Sequence, residues 1–155
     1  MTLQETYKMV ISAEIRAQKL YEALAKSFGK PETKAVFTEL VVLEKNHETK
    51  VREIYAELFP GEDLTVRVEE PIELQGLNLG DPKAVLDFAI QREDLAAMIY
   101  LSLADQTHSF EIKKLLNKFA AEEENHKIVL QTEIDRLQGT LEWFDPSELN
   151  GLMED

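Results

Sequence analysis

The sequence predicts an all-α protein, an antiparallel four-helix bundle made of two duplicated helical hairpins joined by a long crossover. Three observations carry that prediction. Apolar residues recur in strict three-four alternation through four segments, the signature of helices packed along a seam. Helix breakers fall between those segments. The pattern also repeats: across residues 10–58 and 89–137, 12 of 49 positions are identical without a gap, among them Ala17/Ala96, Leu24/Leu103, Ala25/Ala104 and Asn46/Asn125. An internal duplication is the simplest explanation.

The first seam runs Leu3, Tyr7, Val10, Glu14, Ala17, Tyr21, Leu24, Phe28. Gly29 and Pro31 then supply a helix stop and a helix start in their usual order. The second runs Phe37, Leu40, Glu44, His47, Val51, Ile54, Leu58. Residues 60–81 carry Gly61, Pro71, Gly76 and Gly80 with little helical character. A connection that long is uncommon inside a compact domain; here it can run the length of the bundle and set the second and third helices parallel. Asp81-Pro82 offers an N-cap and a first-turn proline for the third seam, Leu86, Ala89, Glu93, Ala96, Tyr100, Leu103. The next turn lacks Gly and Pro, so Thr107 or Ser109 is the expected cap of the fourth seam, Ile112, Leu116, Phe119, Glu123, His126, Leu130, Leu137. Residues 1–138 thus form the bundle. Residues 139–155, with five acidic side chains, no basic one, and Trp143 and Phe144 as apolar anchors, form a tail expected to pack on the bundle or on a second subunit.

Composition narrows the function. The chain is 44% hydrophobic and 30% charged with a net charge of -13, which argues against nucleic acid or an anionic membrane as partner. Without cysteine it cannot build disulfides, thiolate-held zinc or iron–sulfur clusters. The polar N-terminus is no signal peptide, and the most apolar run, Leu95–Ala104, is too short to span a bilayer. A soluble, cytoplasmic protein is expected.

Four seam residues are not apolar, and they recur 79 positions on: Glu14, Tyr21, Glu44 and His47 return as Glu93, Tyr100, Glu123 and His126. Residue 29 is the midpoint of Glu14 and Glu44, and residue 108 of Glu93 and Glu123. In hairpins folded at those turns both carboxylates of a pair lie at one height, roughly 22 Å from the turn. Glu-x-x-His puts a carboxylate and an imidazole on one helical face, so the two hairpins together converge four carboxylates and two imidazoles. That set suits a carboxylate-bridged dinuclear metal site. Four ionised glutamates balance two divalent cations, whereas unbalanced they would repel one another in a desolvating core. Oxygen and imidazole ligands suit iron or manganese.

A single Glu-x-x-His is usually a solvated surface feature. Two in register on the seam, with two matching glutamates, reverse that reading. Tyr21 and Tyr100 either hydrogen-bond a ligating carboxylate or pack as ordinary core, and Ala17 and Ala96 leave room for a metal or an oxidant. Glu122 and Glu124 lie off the seam and are expected in solvent, as is His108 in its turn. Phe88, Leu95, Met98 and Ile99 exceed what one seam needs and suggest a dimer contact.

The order Glu, Tyr, Glu-x-x-His, crossover, Glu, Tyr, Glu-x-x-His resembles the di-iron domain of rubrerythrins, in the ferritin-like superfamily, over about residues 3–138. The resemblance implies a ferritin-like bundle holding two iron ions, with manganese or zinc possible in their place. It implies that Glu44 and Glu123 bridge the metals, that Glu14 and Glu93 are terminal ligands, and that His47 and His126 each serve one metal. It further implies reduction of hydrogen peroxide at a di-ferrous site, in a homodimer. Two departures modify this. Typical rubrerythrins carry a cysteine-rich rubredoxin-like domain, so a chain without cysteine draws its electrons from a separate donor protein. They also carry a further glutamate three residues after the third-helix ligand, where this chain has Ala96. The rival readings are iron binding and oxidation with dioxygen as oxidant, and a non-catalytic metal-binding bundle.

Overall fold

In the computed structural model, residues 1–68 and 81–138 are described; the middle of the crossover and the acidic tail lie outside them. Four long helices account for most of this chain: α1 (Leu3–Ser27), α2 (Pro31–Leu58), α3 (Pro82–Gln106) and α4 (Phe110–Gln138). Each start is chemically marked. Thr2 and Glu5 form a reciprocal capping box on α1, Glu5 N–H to Thr2 Oγ1 at 3.1 Å and Thr2 N–H to Glu5 Oε2 at 3.0 Å, which satisfies two donors that the first turn leaves free. Pro31 and Pro82 occupy first-turn positions, where no N–H is missed. Asp81 accepts from Ala84 N–H at 3.2 Å, and Ser109 Oγ accepts from Ile112 N–H at 3.2 Å. Ser109 therefore caps α4, while Thr107 braces it by accepting from Ser109 N–H.

The turn after α1 falls where Gly29 and Pro31 put it. Phe28 leaves the helix in an extended conformation, and Gly29 does not take a positive φ, so no left-handed glycine cap forms. The next residue but one is Pro31, which restricts Lys30 to extended backbone and makes a left-handed stop unnecessary. Phe28 stacks on Phe37 across this turn, ring centroids 5.4 Å apart. The glycine that does need its freedom is Gly61, at φ 80°. It follows Pro60 in a turn closed by Glu62 N–H to Phe59 O at 3.1 Å, the residue order of a type II turn.

Two apolar cores reveal the directions of the helices. One joins Tyr7, Val10 and Ile11 of α1 with Val51 to Tyr55 of α2, Tyr100 to Ala104 of α3 and Ile112 to Ala120 of α4. The other joins Leu20 to Leu24, Phe37 and Leu40, Val85 to Ala89, and Leu130 and Ile134. The start of α1 thus meets the ends of α2 and α3, so α1 and α3 are antiparallel and α2 and α3 run parallel, as a lengthwise crossover requires. The tightly packed pairs are the hairpins α1–α2 and α3–α4, with α1 facing α3 and α2 facing α4 across the bundle. Burying each Leu or Phe of these cores is worth about 1.5–3 kcal/mol. The polar seam residues fall in the layer between the two cores.

One seam position shifts. Ala97 is buried while Ala96, like Ala17 in the first repeat, is only half-buried. Among the described residues no helix is long and apolar enough to cross a membrane.

Candidate metal centre

All six predicted ligand residues are buried and meet in the layer between the cores. They form two foursomes, Glu14, Glu44, His47 and Glu123, and Glu44, Glu93, Glu123 and His126, with the ligand atoms of each within 4.8 Å of one another. Glu44 and Glu123 belong to both. Nδ1 of His47 lies 2.6 Å from Oε1 of Glu123 and 3.8 Å from Oε2 of Glu14. Nδ1 of His126 lies 2.7 Å from Oε1 of Glu44 and 3.4 Å from Oε2 of Glu93. Despite these approaches, one atom on each of the six has no hydrogen-bond partner: Oε2 of Glu14 and Glu93, Oε1 of Glu44 and Glu123, and Nδ1 of both histidines. Buried polar atoms are rarely left unpaired. Six converging on one place are what a pair of cations would satisfy, so the residues present fit a dinuclear site.

Electrostatics agree. Burial, and then repulsion from Glu14 and its neighbours, pushes the carboxyls of Glu44 and Glu123 well above the ordinary range. Burial also acts to raise Glu93, but the Glu123 carboxyl, the His126 ring and the Tyr21 hydroxyl outweigh it and hold Glu93 low. For His47, burial disfavours the charged ring, yet the carboxylates of Glu123 and Glu14 prevail and take it up to about 11. Protons are thus doing part of the charge balancing that cations would do.

The tyrosines resolve in favour of hydrogen bonding, and they cross between repeats. Tyr21 of the first hairpin donates to Oε1 of Glu93 in the second. Tyr100 of the second donates to Oε1 of Glu14 in the first, at 2.8 Å. Each holds the outer oxygen of a carboxylate whose other oxygen faces the cluster. Burial, chiefly, with nearby carboxylates in addition, pushes both phenols well above 10, so both stay neutral donors. A cleft between α1 and α3 reaches this layer, with Ala17 and Ala96 on its walls and Arg16 and Arg92 beside them. Small side chains there do leave the approach open.

Glu122 contradicts the expectation that it is simply solvated. Its Oε2 lies 2.5 Å from Nε2 of His47, the nitrogen facing away from the cluster. The side chain is one-third exposed, so the off-seam reading is half right; α4 turns its carboxylate back across the face of α2. The available signal was a break in the repeat, for Leu43 stands where Glu122 would recur. Glu124 is in solvent with Lys127, 3.1 Å away, and His108 is exposed, both as expected. Phe88 and Ile99 pack inward against the cores, leaving Leu95, Met98 and Leu101 as the exposed apolar stripe of α3. Two other buried carboxylates lie outside the cluster. Glu48 accepts from Gln18, Lys45 and Arg52, and Glu133 pairs with Arg136 at 3.2 Å.

The family model described as Rubrerythrin matches residues 5–75 and 84–151. The chain belongs to the Rubrerythrin family. A rubrerythrin-type chain implies a di-iron carboxylate centre, and the buried glutamate–histidine cluster fits a metal site. Among solved structures, a hypothetical protein from Pyrococcus furiosus is similar with a TM-score of 0.77 and 28% identity, covering 90% of this chain and 92% of that one. CopM in its silver-bound form shares the fold, with a TM-score of 0.70 and 14% identity over 88% of this chain and 97% of that one. None of the curated proteins compared matches this rubrerythrin-family sequence.

Proposed function

We propose that Glu14, Glu44, His47, Glu93, Glu123 and His126 bind two iron ions, and that the protein reduces hydrogen peroxide to water with electrons from a separate donor protein. The observation that carries this reading is the set of six buried ligand atoms, one from each residue, that converge on one another without well-formed hydrogen bonds. Glu44 and Glu123, which belong to both foursomes, would be held in common by the two ions, and each of the other four residues would serve one. When bound, two ferrous ions supply the two electrons that peroxide needs and the Lewis acidity that holds its oxygens.

The chain's own residues do the rest. The cleft between α1 and α3 admits a small oxidant past Ala17 and Ala96, while the two apolar cores exclude bulk water from above and below. Tyr21 and Tyr100 fix the outer oxygens of Glu93 and Glu14, so these carboxylates keep their aim when charge at the site changes. Each peroxide reduced consumes two electrons and two protons, and without cysteine the electrons arrive from outside the chain. The exposed stripe of Leu95, Met98 and Leu101 is where a second copy would sit in a homodimer.

Metal analysis after anaerobic iron loading, followed by rapid mixing with each oxidant, tests this reading. Two irons per chain and faster oxidation by peroxide than by dioxygen are expected. Uptake well beyond two irons, with dioxygen the better oxidant, would instead identify an iron-oxidising protein. Loaded protein inert to both would be a metal-binding bundle alone.

A further inference from the structure

The six ligand residues are duplicated, but their surroundings are not, and the difference concentrates on His47. Its Nδ1 faces the cluster, and its Nε2 meets the Glu122 carboxylate at 2.5 Å. Lys118 lies 4.0 Å from the other oxygen of Glu122, on the same face of α4. The ring is also held by Phe119, centroid to centroid 4.5 Å, and by the edge of Tyr100 at 5.9 Å. In the first hairpin the residues equivalent to Lys118, Phe119 and Glu122 are Glu39, Leu40 and Leu43. Leucine cannot accept a hydrogen bond, and among the described residues no carboxylate meets Nε2 of His126.

We infer that Glu122 is a positioning residue that makes the two metal positions unequal, the one served by His47 binding a divalent cation more tightly than the one served by His126. A carboxylate on the outer nitrogen fixes the tautomer with the proton on Nε2, leaves the Nδ1 lone pair for the metal, and makes that lone pair more basic. His126 lacks this support on its outer nitrogen. Partners of this kind alter metal affinity by 10- to 100-fold. The inference rests on the proposed dinuclear site but not on its reaction.

The test is competitive titration of the whole chain with zinc(II), together with proton NMR of the cobalt(II) form, in which ring N–H protons of coordinated histidines are shifted clear of the main spectrum. Wild type should bind in two resolved steps. Glu122→Leu should weaken the tighter step by roughly 10- to 100-fold, leaving the weaker step in place, and should erase the protected N–H signal of His47. Glu122→Gln, which keeps an acceptor, should retain much of both. Leu43→Glu should tighten the weaker step and add a second protected N–H signal. Both positions are at least one-third exposed, so these variants spare the cores. Two steps unchanged in Glu122→Leu would overturn the inference while leaving the dinuclear site standing. A wild-type chain that binds no metal would overturn both.

Discussion

Raising the pH should destabilise the protein in the presence of a chelator and stabilise it in the presence of metal. Glu44 and Glu123 are pushed well above their ordinary 4.5, and His47 is taken from 6.5 up to about 11. All three keep protons in the fold at pH values where the unfolded chain has released them. A fold that binds more protons than the unfolded chain loses stability as pH rises. The glutamate contribution is whole below pH 4.5 and the histidine contribution below 6.5, and both are lost upward toward the raised values. Glu93 and Glu48 are shifted down; what they contribute is lost only below 4.5, outside this window. Each retained proton gives a slope of about 1.4 kcal/mol per pH unit. The proton on His47 alone would lower Tm by roughly 3–6 °C between pH 7 and 8, and the raised glutamates act in the same direction. Metal replaces those protons, so loading releases them, and metal at a hundredfold over its Kd adds about 2.7 kcal/mol. Scanning calorimetry at pH 6, 7 and 8, with chelator and with manganese(II), measures both slopes. A chelator-treated Tm that stays flat or rises over this range would refute the reasoning.

Tyr100→Phe removes the phenol that donates to Oε1 of Glu14 and should cost about 1–3 kcal/mol, read as weaker metal retention against a chelator. Tyr21→Phe should act in the same way through Glu93, and the double variant should lose more than either single. Phe119→Ala, deleting a fully buried ring that packs on His47, should cost about 3–5 kcal/mol in denaturant unfolding; a loss below about 1 kcal/mol would mean that the ring is not held there. At Gly61 an added Cβ meets nothing, but φ is positive, so Gly61→Ala should cost about 1–2 kcal/mol with metal content unchanged by elemental analysis.

The bundle and its six-residue cluster were legible because both rest on periodicity. A seam at three-four spacing says which face of a helix is buried, and equal arm lengths about residues 29 and 108 say which carboxylates share a height. What periodicity cannot say is where a long side chain ends. The spacing puts Tyr21 on the face of Glu14, yet its hydroxyl reaches the carboxylate of the other hairpin. The spacing puts Glu122 off the seam and so toward solvent, but a glutamate one residue before a seam position can still reach across to α2. Gly29 marks the right boundary without supplying a left-handed cap. The helix stop it signals was already enforced by the proline two residues later, so the left-handed conformation never forms.

Duplication explains the ligand set but not the way the set is held. A repeated sequence in an antiparallel arrangement makes a site with equal halves, and the two crossed tyrosine bonds preserve that equality. The residues that break it around the ring of His47 lie on α4: Glu122 on the outer nitrogen, Phe119 on the ring, Lys118 behind the carboxylate. Their first-hairpin counterparts, Leu43, Leu40 and Glu39, can form neither the hydrogen bond nor the ring contact. Because those substitutions sit one or more residues off the ligands, they can tune one metal position without disturbing the carboxylates that both positions share. An equal ligand set with unequal supports gives two ions in one site different affinities, which the response of each binding step to Glu122→Leu and Leu43→Glu will expose.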